Sequence, residues 1–288
     1  MDAMTRIEQA LSAAINLAER PECPPQLAAA MHHAVFPRGA RLRPRLCLAV
    51  AMACGDDRPD LSDAAATAIE LLHCASLVHD DLPCFDDADT RRGRPSVHRA
   101  FGEPLAVLAG DALIVLAFNC LAMPLAPSAR LSRLLATIAQ SVGVPAGIVA
   151  GQAWECEAQV DLAHYQRAKT GALFAAATAA GALAAGHDGA GWHRFGINLG
   201  EAYQIADDIR DAVAEPDEIG KPVGRDAALA RPSAVRSFGV DGSVRRLEEM
   251  VTAAIGAIPP CPGQAELTAL VRLEVKRLLP KKLAQQAA

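Results

Sequence analysis

The sequence predicts an all-α protein, one bundle of helices around a central cavity. Three observations predict it. Ala and Leu dominate while β-branched alternation is scarce, a composition that favours helix over strand. Half of the chain (51%) is hydrophobic but only 4% is aromatic, so the helices must pack closely through small side chains. Apolar segments alternate with turn chemistry, without an internal repeat or low-complexity linker, so the 288 residues read as a single domain, 1–288.

The elements follow in order. A helix over 4–20 stops at Arg20-Pro21, and one over 26–35 stops at Pro37-Arg38-Gly39. A third, 42–54, ends at Gly55-Asp56-Asp57. Asp60-Leu61-Ser62-Asp63 offers N-cap candidates for a long helix over 61–81, which Pro83 ends. After the turn at Gly93-Arg94-Pro95 comes 104–123, closed by Pro124–Pro127. Helices over 129–141 and 149–156 precede 161–186, whose Ala/Gly-rich part, Gly171–Gly186, reads as a closely packed helix. Then follow 189–213, a charged and breaker-rich loop over Val213–Arg225, and helices over 226–237, 241–257 and 264–279, with Pro259–Gly263 between the last two.

Charge and cysteine usage narrow the function classes. A formal charge of −5 gives no reason to expect nucleic acid, and the basic clusters near Arg38–Arg45 and Arg91–Arg99 suit a small polyanion. Eight scattered cysteines without a CxxC pair read as buried thiols in a reducing cytoplasm. The N-terminus has no signal-peptide core. The longest uncharged run, Ala112–Ala129, is broken by Pro124 and Pro127, too short for the roughly 20 residues that span a bilayer.

Two acid clusters carry the chemistry. The first is Asp80-Asp81-Leu-Pro-Cys-Phe-Asp86-Asp87-Ala-Asp89, followed by Arg91-Arg92-Gly93. The second is Asp207-Asp208-Ile-Arg-Asp211, in which Asp207 and Asp211 share one helical face. In the first, Asp86 must fold back from the turn at Pro83. So many like charges are unfavourable without a cation, and magnesium takes carboxylate oxygens, waters and phosphate oxygens together. Both clusters grow out of apolar stretches, which favours a site over a solvated face; Asp87 and Asp89 read equally well as solvated acids.

On these motifs the chain resembles the trans-isoprenyl diphosphate synthases. The resemblance runs from Gly39-Ala40-Arg41-Leu42-Arg43-Pro44 through His73, the first acid cluster, Gly151-Gln152, Lys169-Thr170-Gly171, Tyr203-Gln204 and the second cluster to Gly220-Lys221-Pro222. Within that family it is most similar to the bacterial geranylgeranyl diphosphate synthases of pigment pathways.

The resemblance implies an all-α isoprenoid-synthase fold, a homodimer, and magnesium, three ions bound with the diphosphate. The implied reaction joins an allylic diphosphate (dimethylallyl, geranyl or farnesyl) to isopentenyl diphosphate. A farnesyl product, or a non-catalytic partner subunit of a prenyl synthase, are the alternatives; a terpene cyclase would lack the second aspartate motif. The implied metal ligands are Asp80, Asp81 and Asp86, with Asp207, Asp208 and Asp211 opposite. Arg91 is assigned to the allylic diphosphate and Arg92 to isopentenyl diphosphate. Lys169 holds the diphosphate while Thr170 and Gln204 face the reacting carbons, and Lys221 caps the site as its loop closes. Isopentenyl diphosphate further meets Arg43 and His73. The family lysine is replaced by Ala40, a loss on the order of 1.5–3 kcal/mol, for which Arg38 or a re-aimed Arg41 are the candidates to compensate. Ala75 and Ser76, five and four residues before Asp80, set product length by their small size, since a helical turn of about 5.4 Å matches one isoprene unit.

Overall fold

The computed structural model describes residues 2–36, 39–123, 128–159, 161–213 and 233–278. Lys221, Arg38 and most of the expected helix over 226–237 lie outside the described residues. The described chain is mostly helical, and its one sheet is a hairpin of two-residue strands.

α1 (Ala3–Ile15) is capped by Asp2, whose carboxylate accepts from Thr5 N at 3.0 Å. It stops five residues before the sequence predicts, because its apolar stripe of Ile7, Leu11 and Ile15 ends there and Leu17 is already exposed. Arg6 ties it to the neighbouring layer through Asp63 (2.8 Å) and Asp56 (2.9 Å). α2 (Pro25–Val35) and α3 (Leu42–Ala53) follow. α4 (Pro59–Asp80) begins at Pro59 rather than at the expected cap, since proline at the first helical position lacks the N–H that a cap would satisfy.

The hairpin β1 (Thr90–Arg91) and β2 (Arg94–Pro95) and the short α5 (Val97–Phe101) were not foreseen in the sequence; two-residue strands are too short to show a period. α6 (Glu103–Ala122), α7 (Leu131–Val142) and α8 (Ile148–Ala153) lead to a 3₁₀ turn, Trp154–Cys156. The single helix expected over 161–186 is instead α9 (Leu162–Gln166), a π-helical turn (Arg167–Gly171) and α10 (Ala172–Ala184). α11 (Ala190–Val213) carries the second acid motif. α12 (Ala234–Gly256) is kinked at Gly239, whose φ of 68° only glycine adopts readily, and α13 (Gln264–Leu278) completes the chain.

α10 is the axis of the bundle. Every one of its residues is buried, and it packs on α3, α4, α7 and α11. Its Ala and Gly residues let the neighbouring backbones approach, so the low aromatic content expresses itself as close helix packing. α4 and α6 are each long and apolar enough to cross a membrane by composition. α4 is mostly buried within the bundle, whereas α6 leaves an exposed stripe that includes Val107, Leu108 and Val115.

The eight cysteines are free thiols. Cys47, Cys54 and Cys74 are buried, and burial pushes the thiols of Cys54 and Cys74 up to about 11 and about 12. Cys84 and Cys156 depart from the expectation of burial: both are exposed, because each rides on a turn beside the acid cluster.

Candidate active site

The first acid motif is shaped by the end of α4. Asp80 is the last helical residue, and beyond Pro83 the chain doubles back so that Asp86 N donates to Asp80 O at 2.9 Å and Ala88 N to Asp81 O at 3.1 Å. That fold-back sets the Asp86 carboxylate beside that of Asp80. A third carboxylate joins them from the 3₁₀ turn: oxygens of Asp80, Asp86 and Glu155 all lie within 4.8 Å of one another. Glu155 is the residue that sequence reasoning missed. Its one signal was its position three after Gln152, and Gln152 Nε2 indeed donates to Glu155 Oε2 at 2.9 Å.

Lys169 reaches this cluster from the π turn. Its ammonium lies 2.5 Å from Glu155 Oε1 and 3.3 Å from Asp80 Oδ1, and Tyr165 Oη donates to the same Glu155 oxygen at 2.6 Å. Burial raises the Asp80 pKa; Lys169 opposes that shift and the Asp86 charge adds to it. Gly151 makes the approach possible. A Cβ there would come within 2.4 Å of Lys169 N, so α8 and the π turn meet backbone to backbone.

Three converging carboxylates offer all-oxygen donors and more negative charge than one lysine balances. This donor set fits magnesium.

The other acids of the first motif are engaged differently. Asp81 is buried, and both of its oxygens accept from Arg91 Nε, at 3.0 and 3.1 Å, with Arg91 Nη2 also bonded to Oδ1. Burial raises its pKa while Arg91 lowers it. Asp87 and Asp89 are exposed and pair with Arg99, at 3.1 and 2.7 Å. They are surface acids, one of the two readings that the sequence left open.

Across the site, α11 presents the second motif. Gln204 Oε1 accepts from Thr170 Oγ1 at 2.9 Å, and Gln204 Nε2 donates to Asp208 Oδ1 at 2.9 Å. The other oxygen of the buried Asp208 accepts from Ala234 N at 2.7 Å, at the first residue of α12. Asp208 therefore orients Gln204 and caps a helix. Asp207, one position earlier, attracts the Arg43 guanidinium electrostatically. The π turn links the two motifs: of two adjacent residues, Lys169 faces Asp80 and Thr170 faces Gln204.

The basic pocket lies beside α3. Arg43 Nη1 is 3.3 Å from His73 Nε2, and its guanidinium stacks 4.6 Å from the Phe174 ring centroid and 5.8 Å from that of Tyr203. Burial, and then the charges of Arg43, Arg92, Arg91 and Arg41, push His73 well below the ordinary histidine value, so it is neutral and accepts from Arg43. Among the described residues, Arg43 Nε is buried without a hydrogen-bond partner.

Arg41 is not available as the re-aimed replacement for the lysine missing at Ala40. It is 2% exposed, and it bonds Glu70 (2.7 Å), Glu8 (3.0 Å) and Val35 O (2.9 Å). Its left-handed backbone (φ 50°) at the start of α3 turns the side chain inward, while Ala40 stays exposed.

On α4, Ser76 and His73 share the face of Asp80, and all three are half-buried. Ala75 sits about 140° around the helix from Asp80 at 100° per residue, and it is buried in the core.

The polyprenyl synthetase family profile matches residues 24–259. The chain belongs to that family. It is 54% identical over 280 residues to the geranylgeranyl diphosphate synthase of Cereibacter sphaeroides, covering 97% of both chains. It is 51% identical over 275 residues to the geranylgeranyl diphosphate synthase of Rhodobacter capsulatus, covering 95% of both. Among solved structures, a Helicobacter pylori geranyltransferase complexed with magnesium and isoprenyl diphosphate superposes with a TM-score of 0.83, at 28% identity and over 96% of each chain. As a polyprenyl synthetase the chain is a prenyltransferase of the isoprenoid-synthase fold, and the acidic cluster belongs to a magnesium-dependent family.

Proposed function

We propose that this polyprenyl synthetase condenses dimethylallyl, geranyl or farnesyl diphosphate with isopentenyl diphosphate, head to tail, to make geranylgeranyl diphosphate. The observation that carries this reading is the convergence of Asp80, Asp86 and Glu155 on one point, with Lys169 between them.

Asp80, Asp86 and Glu155 would hold magnesium on one wall. Asp207 and Asp211 would do so on the other, with Asp208 beside them, and three ions in all is the number the family resemblance implies. Bound there, magnesium neutralises the charge that develops on the departing diphosphate.

The chain's own groups do the rest. Arg91, held in place by Asp81, and Lys169 bind the allylic diphosphate, and Lys221 closes over it. Thr170 and Gln204 present their oxygens to the positive charge on the allylic carbons. Arg43, neutral His73 and Arg92 bind isopentenyl diphosphate and aim its double bond. Product length is set at Ala75 and Ser76.

The whole chain acts as a single domain. The exposed apolar stripe of α6 supports a homodimer built on that face, and eight free thiols support a cytoplasmic location.

Incubating the purified chain with isopentenyl diphosphate, each allylic primer and magnesium, then sizing the dephosphorylated products, tests the reading. Twenty carbons are expected; fifteen would make it a farnesyl synthase, and no product would make it a non-catalytic subunit. In the same assay Ala75→Phe is expected to shift the product to fifteen carbons, because a ring in a packed helical wall leaves no room for the last isoprene unit. An unchanged product removes Ala75 from length control and leaves Ser76, which shares the face of Asp80.

Ala40→Lys is expected to lower KM for isopentenyl diphosphate and leave kcat nearly unchanged, since the added cation binds ground and transition states alike. A KM that stays the same or rises in steady-state assays would mean that another residue already serves in the lysine's place.

A further inference from the structure

The two arms of the isopentenyl diphosphate pocket come from distant stretches of chain. One is the Gly39–Arg43 segment entering α3; the other is the β1–β2 hairpin, whose turn carries Arg92. They meet at Gly39. A Cβ there would lie 2.5 Å from Arg92 Nη2 and 2.6 Å from Cζ, so the guanidinium rests on bare backbone. Behind it, Glu70 Oε1 lies 4.0 Å from Arg92 Nη2.

A two-residue ladder is marginal as an anchor for this turn. Both residues of the turn have positive φ, Arg92 at 53° and Gly93 at 74°. The second strand is tied down elsewhere. His33 Nε2 lies 2.8 Å from Pro95 O, and Arg94 Nη2 lies 3.0 Å from His33 Nδ1. A carbonyl only accepts and a guanidinium only donates, so Nε2 carries the proton and Nδ1 accepts. Arg94 Nη1 donates to Phe36 O at 3.1 Å, three residues before Gly39. The His33 ring also packs edge-on against Phe101, with centroids 5.4 Å apart. His33 and Arg94 thus join α2, the segment that leads to Gly39, and the hairpin.

We propose that His33 and Arg94 are positioning residues for isopentenyl diphosphate: together they latch the hairpin to α2 and so hold Arg92 against Gly39. The proposal rests on the reading that Arg92 binds that substrate. Neither latch residue touches it. The effect is selective because Arg91, on the same hairpin, has its own anchor in Asp81. Loosening the latch frees Arg92 and leaves the allylic site in place. With no lysine at position 40, binding in the pocket depends more heavily on where Arg92 points.

The test is steady-state kinetics of the full chain. His33→Phe keeps the ring against Phe101 and removes both hydrogen bonds. It is expected to raise KM for isopentenyl diphosphate about tenfold, with kcat and the allylic KM within about twofold. His33→Gln, whose carboxamide can accept from Arg94 and donate to Pro95 O, should restore most of the native KM. In an Arg92→Gln background, His33→Phe should add less than about twofold, because both act through one group. Arg94→Ala, at an exposed position, repeats the test if His33→Phe lowers Tm. An unchanged isopentenyl KM in His33→Phe overturns the latch, as does a parallel fall in kcat and both affinities, or full additivity with Arg92→Gln. If Arg92→Gln itself leaves that KM unchanged, the Arg92 reading fails and the latch fails with it. If Arg92→Gln raises it and His33→Phe does not, the latch alone fails.

Discussion

Asp80→Ala is expected to cut turnover by about 10²–10³-fold or more without loss of fold, and Asp207→Ala to do the same. Asp80 holds one corner of the carboxylate cluster and contacts Lys169, so its loss removes both a donor to magnesium and a partner that aims the lysine. The stability sign follows from its pKa. Burial raises that pKa in the folded state, so the ionised carboxylate opposes folding at neutral pH. Removing it should leave Tm unchanged or slightly higher. Steady-state turnover with saturating magnesium, read beside a thermal melt, checks both parts. Near-native turnover in both variants would sink the two-motif mechanism, and a collapsed melt would make Asp80 a structural residue instead.

Arg41→Ala is expected to be the most destabilising single change in the basic segment. It strands Glu70, whose side chain is 2% exposed, and it removes the Arg41 contact to Glu8 on α1. Removing one partner of a buried ion pair costs about 3–5 kcal/mol. Arg92 Nη2, a second cation beside Glu70, lies 4.0 Å away and is a poor substitute. Replacing Glu70 by Gln in the same chain should recover part of the loss, because the stranded charge is then gone. Urea unfolding of the single and double variants measures this. A loss below about 1 kcal/mol for Arg41→Ala would mean that the pair is solvated and that Arg41 is free to serve substrate.

These two predictions concern residues that the sequence displayed with unequal clarity. Asp80 and Asp86 were legible because their spacing around Pro83 is a local pattern, and the hydrogen bond from Asp86 N to Asp80 O is made within that turn. Asp207 and Asp211 were legible for the same reason, as neighbours on one helix. Arg41 was visible as part of a motif, but its direction was not. Whether a guanidinium points to substrate or to Glu70 depends on a left-handed backbone at residue 41 and on where α4 lies.

Sequence alone determined that the chain is helical, where most helices break, and that two aspartate clusters lie on apolar segments, from which came the expectation that they serve a diphosphate and its magnesium. Those features are encoded within a few turns of chain, where 3.6-residue periodicity, prolines and charge spacing act directly. Only the tertiary structure decided which side chains meet. It brought Glu155 into the first cluster, aimed Lys169 at an aspartate 89 residues earlier, turned Asp81 toward Arg91, and split the expected helix over 161–186 with a π turn so that Lys169 and Thr170 face different walls. The physical reason is that such contacts arise from the packing of α10 against α4 and α11 and of α8 against the π turn, and no local pattern fixes which residue of one helix will face which residue of the next.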